Sequence, residues 1–414
     1  VTHDPISGNE AGESSVPESV DPQREGLSRR ALLFGGGGLA VGAIAGAALA
    51  GNVIDRAATS VDAIVPWRGA HQAGIVTTPQ GFLTLIAFDL ADGVDALRLE
   101  RLLRIWTDGI DRLTQGRPGL TDTEPELAAH PARLTCTVGL GSGAFTQTGL
   151  ESRRPVWLRP LPAFPNEELD EAWSGGDLVL QVCGEDPSVV AHAARFLAKD
   201  VRDFTTVRWT QNGFRNAAGQ VPAGTFRNQF GQLDGSQNLQ GEEAQYVFID
   251  DPTAPAWLLG GSTMVVRRIR MNLDTWDELD RPGRENAVGR RLDDGAPLTG
   301  GTEASAADLD AKNALGFPVI DQAAHIRRSR TDDPTQRFLR RPYTYQGEPA
   351  GTISDTGQVW IAFQKDIEHQ YIPVQRRQSE LDLLNVWITP IGSAVFAVPR
   401  GVREGEFLAQ DLFG

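Results

Sequence analysis

Hydrophobic and polar positions alternate or recur with a readable period over most of the chain after residue 80. Gly81 to Leu90 reads as a strand, and from Val94 to Thr114 the apolar residues Leu97, Leu99, Leu102, Leu103, Ile105, Trp106, Ile110 and Leu113 fall at helical spacing. Strands follow near 134–140 and 177–184, then a helix near 187–202 and a strand near 205–211. That order, β-α-β-β-α-β, is the ferredoxin-like unit. Ahead of it, Val65 to Gln80 carries Pro and Gly without a helical period and reads as a structured loop.

The second half repeats the plan with insertions. Ser262 to Met271 is predicted as a strand, and a helix is predicted from Asp274 toward Arg291. Gln358 to Gln364 is predicted as a strand, Ser379 to Val386 as a helix and Ala394 to Val398 as a strand. Between them lies a polar stretch from Leu292 to Arg341, long enough that a functional loop is expected. The fold class is therefore α+β: two tandem ferredoxin-like units whose antiparallel sheets pack together as in a dimeric α+β barrel. Boundaries fall at 1–50, 51–222 and 223–414.

Composition narrows the function. The chain has 414 residues, 40% hydrophobic and 22% charged, ordinary for a globular protein with ample core. A net charge of −15 argues against nucleic acid as a partner. Lysine occurs only at 199, 312 and 365, so basic chemistry falls to arginine, which keeps its charge. Cys136 and Cys183 both lie in apolar, strand-like runs and read as buried thiols, and no Cys/His spacing suggests zinc.

Residues 1–27 are polar and read as disordered. Ser28-Arg29-Arg30-Ala31-Leu32-Leu33-Phe34 then precedes an uncharged Gly/Ala run to Ala50, and Ala48-Leu49-Ala50 fits a small-x-small cleavage site. Twin arginines before a weakly hydrophobic, glycine-rich segment resemble a Tat signal, with Leu32 departing from the usual pattern. Export through the Tat machinery, to the periplasm, cell envelope or exterior, is expected.

Two stretches carry candidate chemistry. In Gly231-x-x-Asp234-Gly235 one carboxylate stands between two glycines, which permit close approach of a ligand; read alone it is also an ordinary Asp-Gly turn. Of six histidines, His3, His130, His192 and His369 sit in leader, loop, helix and charged surface contexts, and His71 reads as structural. His325 remains, in Val319-Ile-Asp-Gln-Ala-Ala-His325-Ile-Arg327-Arg328-Ser-Arg330. Imidazole is a common axial ligand of haem iron, and haem propionates call for arginine, so His325 with Arg327 and Arg330 fits both needs.

In order along the chain, His71 to Gln80, Gly175 to Leu178, Arg227-Asn228 through Asn238, Val265 to Met271, His325 to Arg327, Leu339 to Tyr345, Phe363 to Asp366, Pro373 to Arg377 and Gly392 to Pro399 resemble the dye-decolourising peroxidase family, and its exported subgroup in particular. The resemblance implies haem b between two ferredoxin-like units. His325 would be the proximal iron ligand, Asp234 the distal acid/base and Arg340, rather than its neighbour Arg341, the distal cation. Arg327, Arg330 and Asp382 would complete the cofactor site, Asp382 as partner to the far nitrogen of His325 with Glu380 the second choice. Gln232, Leu233 and Pro342 depart from the family's common residues. The implied activity is reduction of hydrogen peroxide with oxidation of small organic donors such as dyes and phenolics. Iron release from haem, or haem binding and delivery without turnover, is the alternative, and a homo-oligomer is compatible with either. Trp360, Tyr343, Tyr345 and Trp387 read first as core aromatics and second as an electron path.

Overall fold

The computed structural model describes residues 61–216, 225–349 and 351–414. The leader and its twin arginines lie outside the described residues. The described residues form one compact unit. No helix among the described residues is long and apolar enough to cross a membrane.

The first half contributes β1 (Phe82–Leu90), α1 (Ala96–Thr114), β2 (Thr135–Leu140), α2 (Ser142–Thr148), β3 (Leu178–Gly184), α3 (Pro187–Asp200) and β4 (Thr205–Phe214). A small hairpin, β5 (Phe226–Arg227) and β6 (Leu233–Asp234), and α4 (Glu243–Val247) lead into the second half. There β7 (Ser262–Met271), α5 (Leu273–Asp277), α6 (Arg281–Val288), α7 (His325–Ser329), β8 (Leu339–Arg340), β9 (Tyr343–Gly347), β10 (Asp355–Gln364), α8 (Ile372–Leu381) and β11 (Ile388–Val398) follow.

The strands run β7-β11-β2-β3-β1-β4-β9-β10, and β10 pairs back onto β7. The sheet thus closes on itself as a barrel, which removes its free edges. Every pairing is antiparallel. Within each half the register is extensive. The two seams between halves rest on single pairs, Phe214 with Thr344 and Ala397 with Leu140.

The period-two pattern decides which side chains fill the barrel. On β1, Leu83, Leu85 and Ala87 join the interior cluster with Val179, Met264, Val266, Ile361 and Phe396. Ile86, Phe88 and Leu90 face the other way, under Leu102, Leu103 and Trp106 of α1 and Phe196 and Leu197 of α3. The same alternation explains the cysteines: both are free and buried, with Cys136 in the outer cluster and Cys183 in the inner one.

Several expectations require correction. The helix from Asp274 toward Arg291 is two short helices, because Pro282 starts a new one capped by the Asp280 side chain on the Gly283 N–H at 2.8 Å. The helix expected over Ser379–Val386 lies earlier, at Ile372–Leu381; Pro373 marks its first turn, and Asp382 is already extended. A single 3₁₀ turn, Leu383–Val386, follows. The last strand begins six residues ahead of Ala394, at Ile388, its first part hidden by Pro390 and a bulge near Gly392. The polar stretch contains α7 and β8, and β9 adds a strand beyond those the sequence pattern predicts.

Candidate active site

β8 and β9 lie in one continuous register along β10: Arg340 faces Ala362, and Tyr343 faces Val359. Consecutive residues on such a strand point to opposite faces. Arg341, Tyr343 and Tyr345 are buried, the two tyrosines within the barrel's interior cluster. Arg341 donates there to the Thr77 carbonyl and to the Gln80 side chain, pinning the loop ahead of β1. Arg340 emerges on the outer face. The Arg341 N–H bonds the Ile361 carbonyl at 2.7 Å, so the N–H that Pro342 lacks would have pointed away from β10, and the proline costs no ladder bond.

The hairpin carrying Asp234 packs on that outer face. The Asn228 side chain fills its turn by accepting from the Phe230 and Gln232 N–H groups at 3.0 and 3.3 Å. Gly231 takes a φ of +79° and Gly235 one of +120°, conformations that a side chain disfavours. Arg227 donates to the carbonyls of Gly231, Leu292 and Asp293, which fastens the hairpin to the long loop. Asn238 then acts as a substitute strand: its Nδ2 donates to the Arg340 carbonyl at 2.7 Å, and its Oδ1 accepts from the Arg340 N–H at 2.9 Å.

These supports bring Arg340 Nη1 to 3.4 Å from Asp234 Oδ1. The other carboxylate oxygen, Oδ2, accepts from Gln358 Nε2 at 2.8 Å and Asn228 Nδ2 at 3.3 Å. The Asp234 side chain is 14% exposed and that of Arg340 25%. Nearby, Ser236 Oγ and Gln232 Nε2 are buried with no hydrogen-bond partner among the described residues.

His325 opens α7. Its Nδ1 donates to Asp382 Oδ2 at 2.6 Å, and because a carboxylate only accepts, the proton sits on Nδ1. Asp382 is held by its own contact with the Leu384 N–H at 2.9 Å. The far nitrogen, Nε2, has only the Ser329 hydroxyl near it among the described residues. The Ser329 hydroxyl 3.3 Å away spends its proton on the His325 carbonyl at 2.7 Å and accepts from Gln378 Nε2 at 2.8 Å. Burial alone would push the imidazole pKa down, but the Asp382 charge and hydrogen bond outweigh it and hold the group above its ordinary value. Arg340 and Asp234 also act on this imidazole, one lowering and one raising its pKa, so His325 and the Asp–Arg pair share one electrostatic neighbourhood. Gly289, with a φ of +89°, lets α6 approach α7: a Cβ there would lie 2.8 Å from the Ile326 side chain. Ile326, Phe230, Trp276, Leu384 and Trp387 pack as an apolar cluster beside the site.

Arg327 and Arg330 stand apart from this arrangement. Arg327 donates to the carbonyls of Leu309, Ile320 and Asp321, and Arg330 to that of Ala307. Both line a cavity of about 380 Å³ with Asp308, Asp310 and Asp332. Arg377, next to Arg328, has Nε and Nη2 buried and unpartnered among the described residues, a disposition that suits an anion. Glu380 is exposed and makes no contact with His325, whose partner is Asp382. The other described histidines are spoken for: His71 bonds the Gly260 carbonyl and stacks on Phe248, His130 meets Asp62, His192 meets Asp122 and His369 meets Thr335.

The residues fit haem. One imidazole nitrogen is fixed by a carboxylate while the other is open to a ligand, and apolar walls and unpartnered guanidinium nitrogens lie nearby. Gln358 and Ser329 were not singled out in the sequence. The only signal for Gln358 is a polar residue in a strand that the structure buries.

A half-buried Asp–Arg pair thus stands in the same neighbourhood as a carboxylate-backed histidine. The Dyp-type peroxidase N-terminal family model matches residues 72–215, and the C-terminal model matches residues 225–403. The dye-decolorizing peroxidase of Thermobifida fusca is 37% identical, over 95% of this chain and 98% of that protein. The deferrochelatase of Escherichia coli K12 is 31% identical, over 84% and 86%. Among solved structures, a DyP-type peroxidase from Cellulomonas bogoriensis superposes with a TM-score of 0.83 at 52% identity, covering 85% of this chain and 98% of that one. Ferric DtpA from Streptomyces lividans gives 0.82 at 38%, covering 87% and 99%. The chain belongs to the Dyp-type peroxidase family and is a haem peroxidase.

Proposed function

We propose that the protein binds haem b through His325 and reduces hydrogen peroxide at the expense of small organic donors, dyes and phenolics among them. The observation that carries this reading is the Asp234–Arg340 pair, in electrostatic reach of a histidine whose free nitrogen is available. Haem, when bound, supplies the iron that takes up peroxide and the electrons that reduce it. The chain's own groups handle the protons. Asp234 accepts the proton of one peroxide oxygen and returns it to the other, so that water leaves. Arg340 stabilises the negative charge that develops on the departing oxygen. Asp382 keeps the His325 proton on Nδ1, which orients the ring and strengthens Nε2 as a donor. Arg327 and Arg330 are assigned to the propionate side, where their carbonyl bonds also hold the segment from Ala307 to Asp321.

The two halves, 51–222 and 223–414, are read as ferredoxin-like units. In each, the strand order is fourth-first-third-second, β4-β1-β3-β2 and β11-β7-β10-β9, as that unit requires. That the family models match residues 72–215 and 225–403 separately supports a division in this region. Residues 1–50 are read as a Tat-type leader on the strength of Arg29-Arg30 and the Gly/Ala run. Export is tested by fractionating cells that carry Arg29→Lys with Arg30→Lys; retention in the cytoplasm supports it.

The decisive experiment is rapid mixing of the haem-loaded protein with peroxide, followed by a phenolic donor. A visible spectrum that changes on mixing and returns with the donor supports the reading. Asp234→Asn should slow the first change and leave haem binding intact. A second reading, iron release from haem, is favoured by the deferrochelatase relatives at 31% identity. Chelated iron together with intact protoporphyrin would establish it.

A further inference from the structure

We propose that Gln358 is a positioning residue for the peroxide step: it selects which oxygen of Asp234 takes the proton. This rests on the peroxidase reading of the site. Gln358 lies on β10, opposite Thr344 of β9 and Ile269 of β7, and is 8% exposed. On this strand Val359, Ile361 and Phe363 fill the barrel, so Gln358 faces out toward the Asp234 hairpin.

The two carboxylate oxygens are treated differently. Oδ2 receives Gln358 Nε2 at 2.8 Å and Asn228 Nδ2 at 3.3 Å. Oδ1 has the single, longer contact with Arg340 Nη1 at 3.4 Å. A proton on Oδ2 would confront two N–H donors, whereas a proton on Oδ1 displaces only that longer contact. An aspartate's last torsion is broad and two-fold, so without a fixed donor its oxygens exchange places. Gln358 removes that freedom and leaves Oδ1, beside Arg340, as the oxygen that accepts and returns the proton. A neutral amide does this without adding charge. Charged groups acting in this neighbourhood include Arg340 on β8, Arg215 after β4, Arg290 after α6, and His325 on α7 with its partner Asp382.

Two variants and two readouts test the proposal. Gln358→Leu is expected to lower the rate of the peroxide step about 10–100-fold, with haem content and the KM for a phenolic donor unchanged. Gln358→Glu keeps the volume but offers no donor when ionised. It should be slow at neutral pH and recover as pH falls and the introduced carboxyl gains a proton, a profile that a packing role does not produce. In the haem-free protein carrying ¹³C-aspartate, the carboxylate band assigned by difference against Asp234→Asn should shift in Gln358→Leu. A peroxide rate within about twofold of wild type in both variants, or an unmoved Asp234 band, overturns the proposal. A wild type that never reacts with peroxide overturns the peroxidase reading and the positioning role of Gln358 with it, and the infrared band reports the Asp234–Gln358 contact separately.

Discussion

Arg340 and Arg341 follow one another in the chain and serve opposite sides of the barrel wall. Arg341 is inside, bonded to Thr77 and Gln80; Arg340 is outside, beside Asp234. Their replacements should therefore fail in different ways. Arg341→Leu strands buried acceptors on the loop ahead of β1 and is expected to cost about 2–4 kcal/mol in urea unfolding. Arg340→Leu should leave unfolding nearly unchanged and slow the peroxide step by about 10²–10³. Equal losses of stability in the two would contradict the assignment.

Asp234→Asn keeps the shape of the side chain and removes its capacity to take a proton. The peroxide step is expected to slow by about 10²–10⁴ in stopped-flow measurements. Because Asp234 and Arg340 act on the same event, the double variant should lose less than the product of the single losses. A fully multiplicative result would mean that the two residues work independently.

The His325–Asp382 contact predicts both a cofactor effect and a pH effect. Asp382→Asn removes the charge behind Nδ1 and should speed haem loss to apomyoglobin by about 10–100-fold. In the haem-free protein the pair stabilises the charged imidazole, whose pKa is raised on folding. That contribution is complete below the unfolded value of about 6.5 and is lost as pH rises through the raised folded value. The wild-type advantage over Asp382→Asn in urea midpoint should thus be larger at pH 6 than at pH 9.

Asp177 behaves in the opposite sense. Burial raises its pKa, with Asp89 adding to the rise, while the Leu90 N–H it accepts at 2.9 Å and Arg208 act against it. A carboxyl whose folded pKa lies above its unfolded value costs stability once ionised. Asp177→Asn retains an acceptor for Leu90 and should raise the melting temperature at pH 7. The gain should vanish as pH falls below about 3.8, where the carboxyl is protonated in both states.

Sequence periodicity places β1, α1, β2, β3, α3 and β4 of the first half within a few residues, and misses only the short α2 among its named helices and strands. The second half was harder for local reasons. Pro282 divides a helix expected to be continuous, Pro373 starts one expected later in the chain, and Pro390 interrupts the pattern of β11. Tyr343–Gly347 carries a family motif and no clear strand pattern, although its register with β10 is what separates Arg340 from Arg341. The histidine and the acid were readable because their neighbours form long motifs. Gln358 was not, since the hairpin it touches is more than a hundred residues away in the chain and nothing local announces that contact.

The two single-pair seams also set where the molecule should yield. Each joins strands far apart in the chain, so each closes late during folding and contributes little cross-strand bonding of its own. Amide exchange at Leu140, Phe214, Thr344 and Ala397 should then outrun exchange in the middle of the extensively paired strands, marking the seams as the first part of the barrel wall to open. Since His325, Asp382, Asp234, Arg340 and Gln358 all come from the second half, a partly opened molecule would still carry the whole proton-handling apparatus.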